Sequence, residues 1–347
     1  MIKDPVMKNI LIVCILAMPF FLSCGGASKD TTTPNTPPGN LTITAVVASD
    51  SSGNVSFTTA ASNAVTYDFN FGNGVIQTVP SGSILFKYTS SGTYTVNVIA
   101  TSASGQTISA NKQITVGVKL NLVWSDEFNN NGSPDPSKWG FDLGGGGWGN
   151  NELEYYTSRT NNAIVSNGTL KIIAVKESYQ GSNYTSARLL SKGLYSFQYG
   201  RIDISAKLPA SIGTWPALWM LGNNQASVGW PACGEIDILE QNGSNKNTIY
   251  GTMHYPTEVN PNGDGGTSTI STASTAFHKY SAIWSAATIQ LLVDDVQYYT
   301  LPNSSSLPFN QNFFILLNLA MGGNFGGTVT SSFATDQLEI DYVRVYQ

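Results

Sequence analysis

Gly200-Arg201-Ile202-Asp203-Ile204-Ser205-Ala206-Lys207-Leu208 alternates polar and apolar residues without a break, and Phe313-Phe314-Ile315-Leu316-Leu317-Asn318-Leu319-Ala320-Met321 is apolar throughout except for Asn318. Successive side chains of an extended chain point to opposite faces. The first stretch therefore reads as a strand with one covered face, with Ile202, Ile204, Ala206 and Leu208 inward and Arg201, Asp203, Ser205 and Lys207 outward. The second reads as a strand covered on both faces. Further strand-like runs lie on either side: TLKIIAVKE from Thr169, PALWML from Pro216, EIDILEQ from Glu235, TIYGTMH from Thr248, HKYSAIWS from His278 and LEIDYVRVY from Leu338. No long amphipathic helix interrupts them. A large antiparallel sandwich or jelly roll accommodates both kinds of strand, and residues 119–347 are expected to form one.

The rest of the chain differs in character. At 347 residues the length predicts two domains, and all seven tryptophans lie beyond Lys119. Residues 41–118 are short alternating runs (LTITAVVAS, NVSFTTA, TYDFNF, SILFKY, TYTVNVIATS, QTISANKQITV) punctuated by Gly, Ser and Asn. Strands at that spacing predict a small β-sandwich, so the whole chain is expected to be all-β. Residues 1–23 hold an apolar stretch, Asn9 to Leu22 behind Lys8, too short to span a bilayer and ending in small residues. Met7 offers a second possible start. Residues 24–40 form a Pro- and Thr-rich tether, which at roughly 3.1 Å per residue reaches about 45–50 Å.

Composition narrows the function. Only 11% of residues are charged, and 17 Lys and Arg against 22 Asp and Glu leave a net charge of −5 with no basic tract. Nucleic acid and anionic membrane surfaces are poor partners for such a chain. Two histidines (His254, His278) and three cysteines (Cys14, Cys24, Cys233) leave a Cys/His zinc site nearly without ligands.

In this charge-poor chain, Glu235-Ile236-Asp237-Ile238-Leu239-Glu240 places three carboxylates in six strand-like residues. Glu235 and Asp237 share a face of a regular strand, and Glu240 falls on the other. One extra residue taken up as a β-bulge at Ile238-Leu239 returns Glu240 to their side. The two glutamates are then about 13 Å apart at Cα, like residues i and i+4. Side chains leaning inward bring the carboxyls to about 5–6 Å, the spacing of a retaining glycosidase rather than the roughly 6.5–9.5 Å of an inverting one. An exposed acidic strand edge is the plain alternative, disfavoured because like charges on one face repel.

Several segments now carry resemblances. Leu22-Ser23-Cys24-Gly25 resembles the bacterial lipobox, which implies lipidation of Cys24 and anchorage in the cell envelope. Gly25 after the cysteine favours the outer membrane; a secreted protein with an incidental cysteine is the alternative. Tyr67 to Gly74 and Tyr88 to Val98 resemble the PKD family of Ig-like modules, with Phe69 and Asn73 where that family usually carries Trp and Asp. A spacer role is expected for this module, with glycan binding as the alternative. Finally, the hexapeptide, Trp215-Pro216-Ala217-Leu218-Trp219, Trp230-Pro231-Ala232-Cys233-Gly234, Gly251-Thr252-Met253-His254, Trp148 to Tyr156, Ser186-Ala187-Arg188-Leu189 and Asp341 to Tyr346 together resemble glycoside hydrolase family 16. The similarity is greatest to its bacterial laminarinase branch, the endo-β-1,3-glucanases.

That resemblance implies a β-jelly roll, a concanavalin-like sandwich, with the substrate cleft across its concave face. It implies Glu235 as nucleophile, Asp237 as the carboxyl that hydrogen-bonds it, and Glu240 as general acid/base. Trp230 matches a sugar-stacking residue, with Trp215 or Trp219 as its neighbour. Asn150, Glu152, Arg188 and His254 are implied as hydrogen-bonders of sugar hydroxyls. No catalytic cofactor is implied. A structural calcium away from the cleft is, at the positions matched by Glu127, Gly168 and Asp341. The expected function is endo-hydrolysis of β-1,3-glucan by a monomer. Mixed-linkage glucan or a marine galactan is the alternative within the family, and a non-catalytic glucan-binding lipoprotein the alternative outside it.

Overall fold

The computed structural model describes residues 36–89, 91–257 and 263–347. The expected signal peptide, Cys24 and residues 24–35 of the tether lie outside the described residues. The first strand begins at Gly39, inside the stretch expected to be tether.

Residues 39–116 form two antiparallel sheets. Gly39–Val47, Asn54–Ser62 and Ser83–Lys87 make one, and Ile76–Val79, Ala64–Asn70, Gly92–Ser102 and Thr107–Val116 make the other. Alternate residues of both sheets bury a core that includes Val55, Phe57, Phe69, Phe71, Phe86, Tyr88, Val96 and Val98. Phe69 is fully buried and packs 5.9 Å from Phe57 and 5.8 Å from Phe71 between ring centroids. The Tyr88 hydroxyl donates to the Phe71 carbonyl at 2.9 Å, which fixes the turn entered at Gly72. Gly72 has φ +76, and a Cβ there would stand 2.6 Å from the Thr95 carbonyl, so glycine is required.

Residues 122–346 form a ten-stranded and a seven-stranded sheet. Their separate core holds Ile202, Ile204 and Ala206 from one sheet and Ile236, Ile315, Leu317 and Leu319 from the other. All nine residues of Phe313–Met321 are buried, as expected for a strand covered on both faces. The outward side of Gly200–Lys207 departs from expectation, because Asp203 and Ser205 are buried as well. Arg201 covers Asp203 at 2.6 Å and the Ser281 hydroxyl donates to it at 2.6 Å, so a buried charge is paired instead of solvated. The only α-helices among the described residues are the single turns Gln225–Val228 and Gly323–Gly326.

Candidate active site

The Glu235–Gln241 strand lies inside the seven-stranded sheet, between Thr214–Gly222 and Thr248–His254. Against the first neighbour, Leu221, Met220 and Trp219 oppose Glu235, Ile236 and Asp237, while Leu218 and Ala217 oppose Leu239 and Glu240. Ile238 is the extra residue. The same slip occurs against the second neighbour, between the pairs Asp237–Thr252 and Glu240–Tyr250. Ile236, Ile238 and Leu239 all enter the intersheet core. The bulge expected at Ile238-Leu239 is present, and it leaves Glu235, Asp237 and Glu240 on the opposite, outer face.

Each glutamate there accepts a hydrogen bond from an indole. Trp230 Nε1 donates to Glu235 Oε2 at 3.0 Å, and Trp215 Nε1 donates to Glu240 Oε1 at 2.9 Å. His254 Nε2 stands 3.2 Å from Asp237 Oδ2 and 3.9 Å from Glu235 Oε1. Burial raises the proton affinity of all three carboxyls. At Glu235 the charge of Asp237 adds to burial and His254 opposes it. At Asp237 burial acts first and the charge of Glu240 adds to it. At Glu240 the Trp215 N–H opposes burial and favours the ionised form. Each charge in the group disfavours ionisation of its neighbour, so the cluster holds protons more tightly than separate carboxyls would. Glu235, Asp237 and His254 also bring ligand atoms within 4.8 Å of one another, the spacing of a possible cation site.

Trp230 is 53% exposed, its N–H fixed and its ring open to solvent, as a platform for a pyranose face must be. Trp215 packs against Phe325, with ring centroids 5.4 Å apart. Trp219 departs from expectation as a possible sugar contact. It is only 9% exposed, its N–H goes to Asn318 Oδ1 at 2.8 Å, and the Arg188 guanidinium covers its ring at 4.7 Å. Trp219 therefore belongs to the floor of the cleft. Arg188 pairs with Asp142 at 3.0 Å and also lies 5.1 Å over Trp148. Asn150 and Glu152 are joined at 3.2 Å on the loop before Glu154–Tyr156, and Glu152 bridges to Gly322. A negative charge on Glu152 adds to the proton affinity of Glu240, which places it by the carboxylate cluster.

The residues expected to hold calcium meet at one junction. Ile340 pairs with Leu170 and Val343 with Asp126, so Asp341-Tyr342 passes between the ends of two neighbouring strands. On its other edge the register slips between Ser205 and Ala206, and Asp341 is the extra residue. Gly168 lies in the tight turn between Ala163–Ser166 and Thr169–Tyr179. The Glu127 side chain does not fit the expected role, because Arg344 takes both of its carboxylate oxygens, at 2.9 and 2.7 Å. What remains there is the Asp341 carboxylate, an oxygen ligand of the kind calcium accepts, which takes a hydrogen bond from the Ser205 hydroxyl at 3.3 Å.

Sequence reasoning missed several supporting groups. Tyr156 donates to Glu152 Oε2 at 2.9 Å and receives the Asn318 amide at 3.1 Å. Glu154 is fully buried and accepts the Met321 N–H at 2.6 Å. Burial, then its hydrogen bond to Glu152, pushes its pKa well up. Asn318, the one polar residue in its apolar strand, was the available signal.

A β-sandwich whose outer face carries a bulged carboxylate triad, two indoles hydrogen-bonded to the glutamates and an exposed aromatic platform defines a carbohydrate-cleaving hydrolase. Residues 150–344 match glycosyl hydrolases family 16, and residues 40–118 match the PKD domain. The chain belongs to glycosyl hydrolase family 16 and carries a PKD domain ahead of its hydrolase domain. A β-glucanase from Rhodothermus marinus is 46% identical over 242 residues, 65% of this chain and 85% of the relative. The crystal structure of the laminarinase from Rhodothermus marinus superposes with a TM-score of 0.63 at 46% identity, over 66% of this chain and 98% of that one. A LamA variant from Zobellia galactanivorans in complex with laminaritriose and laminaritetraose gives 0.60 at 46% identity, over 65% and 98%.

Proposed function

We propose that the protein cleaves β-1,3-glucan internally, with retention of anomeric configuration. The bulge at Ile238 carries this reading, because it puts Glu235, Asp237 and Glu240 on one face and gives each glutamate its own indole donor. Glu235 attacks the anomeric carbon while Glu240 protonates the leaving oxygen. A glycosyl ester on Glu235 results, and Glu240, now ionised, draws a proton from water to hydrolyse it. Asp237 keeps its own proton and directs it as a hydrogen bond at the ionised Glu235, and the Trp230 N–H supports the same carboxylate. Burial keeps Glu240 protonated at the start, and the negative charge of Glu152 reinforces it.

The same face argues against sulfated galactans. Arg188 is the arginine whose charge reaches Glu235, and Asp142 and two indoles already hold it. Neutral glucose units suit a lining of Trp, Asn and His better. Proton NMR of the first product from laminarin tests the mechanism, and a first-formed β-anomer is expected. An α-anomer would overturn the retaining assignment. Product analysis on laminarin, lichenan, agarose and carrageenan tests the substrate, with laminarin cleaved fastest.

Two further readings are ours. A calcium ion is held at the junction of Asp341, the Gly168 carbonyl and the Glu127 carbonyl, where it stiffens strand ends remote from the chemistry. The chain is anchored in the outer membrane through lipid on Cys24, supported by the Leu22-Ser23-Cys24-Gly25 motif. Cys24→Ser should release the protein from membranes with its activity on soluble glucan unchanged, and persistent sedimentation with membranes would count against the anchor.

A further inference from the structure

Tyr298 lies on the Val296–Pro302 strand, which belongs to the ten-stranded sheet, opposite the sheet that carries the carboxylates. Its ring packs against the intersheet core. Its hydroxyl crosses to the other sheet and donates to the Ile238 carbonyl at 2.9 Å. Ile238 is the residue the bulge leaves out of register with both neighbouring strands. A carbonyl in that position has lost its ladder partner, and burying it unpaired is unfavourable. Burial pushes the Tyr298 phenol well up, so it stays protonated and able to donate. The space for this hydroxyl is kept open from a third strand: a Cβ on Gly251 would fall 2.2 Å from it and 2.4 Å from Leu291 Cδ1.

We propose that Tyr298 is a positioning residue for the reaction: its hydroxyl locks the Ile238 bulge and so holds Glu240 at the correct distance from Glu235, with Gly251 as the space that admits it. The inference rests on the reading of Glu235 and Glu240 given above. Phenylalanine would keep the ring packing and remove only the lock. The bulge could then relax toward regular pairing, which turns Glu240 away from the leaving oxygen. Help to the leaving group would suffer, while sugar binding at Trp230 would not.

Tyr298→Phe should therefore lower kcat on laminarin by about 10- to 100-fold, part of what a general acid contributes, with KM within about twofold. On an aryl β-laminaribioside with a dinitrophenol leaving group, which needs little protonation, the loss in kcat/KM, which reports formation of the glycosyl-enzyme and not its hydrolysis, should be under about threefold. A purely structural role would reduce both substrates alike. Equal losses, or kcat on laminarin within twofold of the unaltered protein, would overturn the proposal. Gly251→Ala, which pushes the hydroxyl off the carbonyl, should give the same leaving-group-dependent loss and carries the test if Tyr298→Phe does not fold. Combined with Tyr298→Phe it should be no worse than the worse single change. Additive losses would place the two residues outside one shared contact and overturn the lock. An unaltered protein inactive on laminarin overturns the reading of the site as well, whereas an active one with an unaffected Tyr298→Phe overturns the positioning role alone.

Discussion

Glu235 and Glu240 are the same residue type on the same strand, so their different jobs come from their neighbours. Glu235 has Asp237 and His254 beside it, whereas the charge of Glu240 is favoured first by the Trp215 N–H and only then by His254, with Glu152 against it. The two alanine variants should differ accordingly. Glu235→Ala should be inactive until azide is added and should then release the α-glycosyl azide. Glu240→Ala should still form the glycosyl-enzyme from substrates with good leaving groups, and azide should carry it on to a β-product. Identical azide products from both would refute the division of labour. Glu154 offers a prediction about stability. Its pKa is raised in the folded chain, chiefly by burial, so the folded state keeps a proton that the unfolded chain gives up. Stability from this group is full below the ordinary carboxylate range and falls as pH rises through the raised value. Glu154→Gln should thus raise Tm at pH 7 by about 2–4 °C, the effect of about 1 kcal/mol in a domain of this size. The gain should vanish near pH 4 in thermal melts, and a gain that persists there would contradict the burial argument. The hexapeptide was legible because carboxylates are scarce in this chain. Glu154 was not, since its burial is set by the Met321 strand, which is distant in sequence.

At the scale of the element, strand type was readable wherever period-2 patterning was clean, and the bulge followed from requiring one face for three acids. The side chains that support it from behind were not readable. Tyr298 looks like any half-buried tyrosine of an edge-side strand, and only the stacking of two sheets reveals what it touches. Trp219 misled for the opposite reason. It lies on the cleft side by period, but Arg188 covers it, and which indole is open to solvent depends on packing rather than on alternation. The Asp341 bulge makes a separate prediction. Bound calcium stabilises the folded state by RT ln(1 + [L]/Kd), about 2.7 kcal/mol at a hundredfold excess over Kd. Adding EDTA should lower Tm by several degrees and leave kcat at 25 °C unchanged, and Asp341→Asn should abolish the EDTA effect in the same scanning measurement. A Tm indifferent to EDTA and calcium would remove the metal from the junction.

At the scale of the molecule, the two cores are built from separate sets of residues, and every residue of the candidate site lies in the second. A chain starting at Leu120 should fold and keep its turnover on short laminari-oligosaccharides within about twofold, a difference of under 0.5 kcal/mol in activation free energy. A loss of most activity would mean that the PKD domain takes part in the chemistry. The confinement of all seven tryptophans to the region beyond Lys119 gives the two domains different optical signatures. Indole emission reports the hydrolase domain and is blind to the PKD domain, whose aromatic residues are Phe and Tyr. Selective excitation of tryptophan follows one domain inside the intact chain, while backbone circular dichroism follows both. Any mismatch between the two melting curves is then the unfolding of the PKD domain, read without a label or a cut.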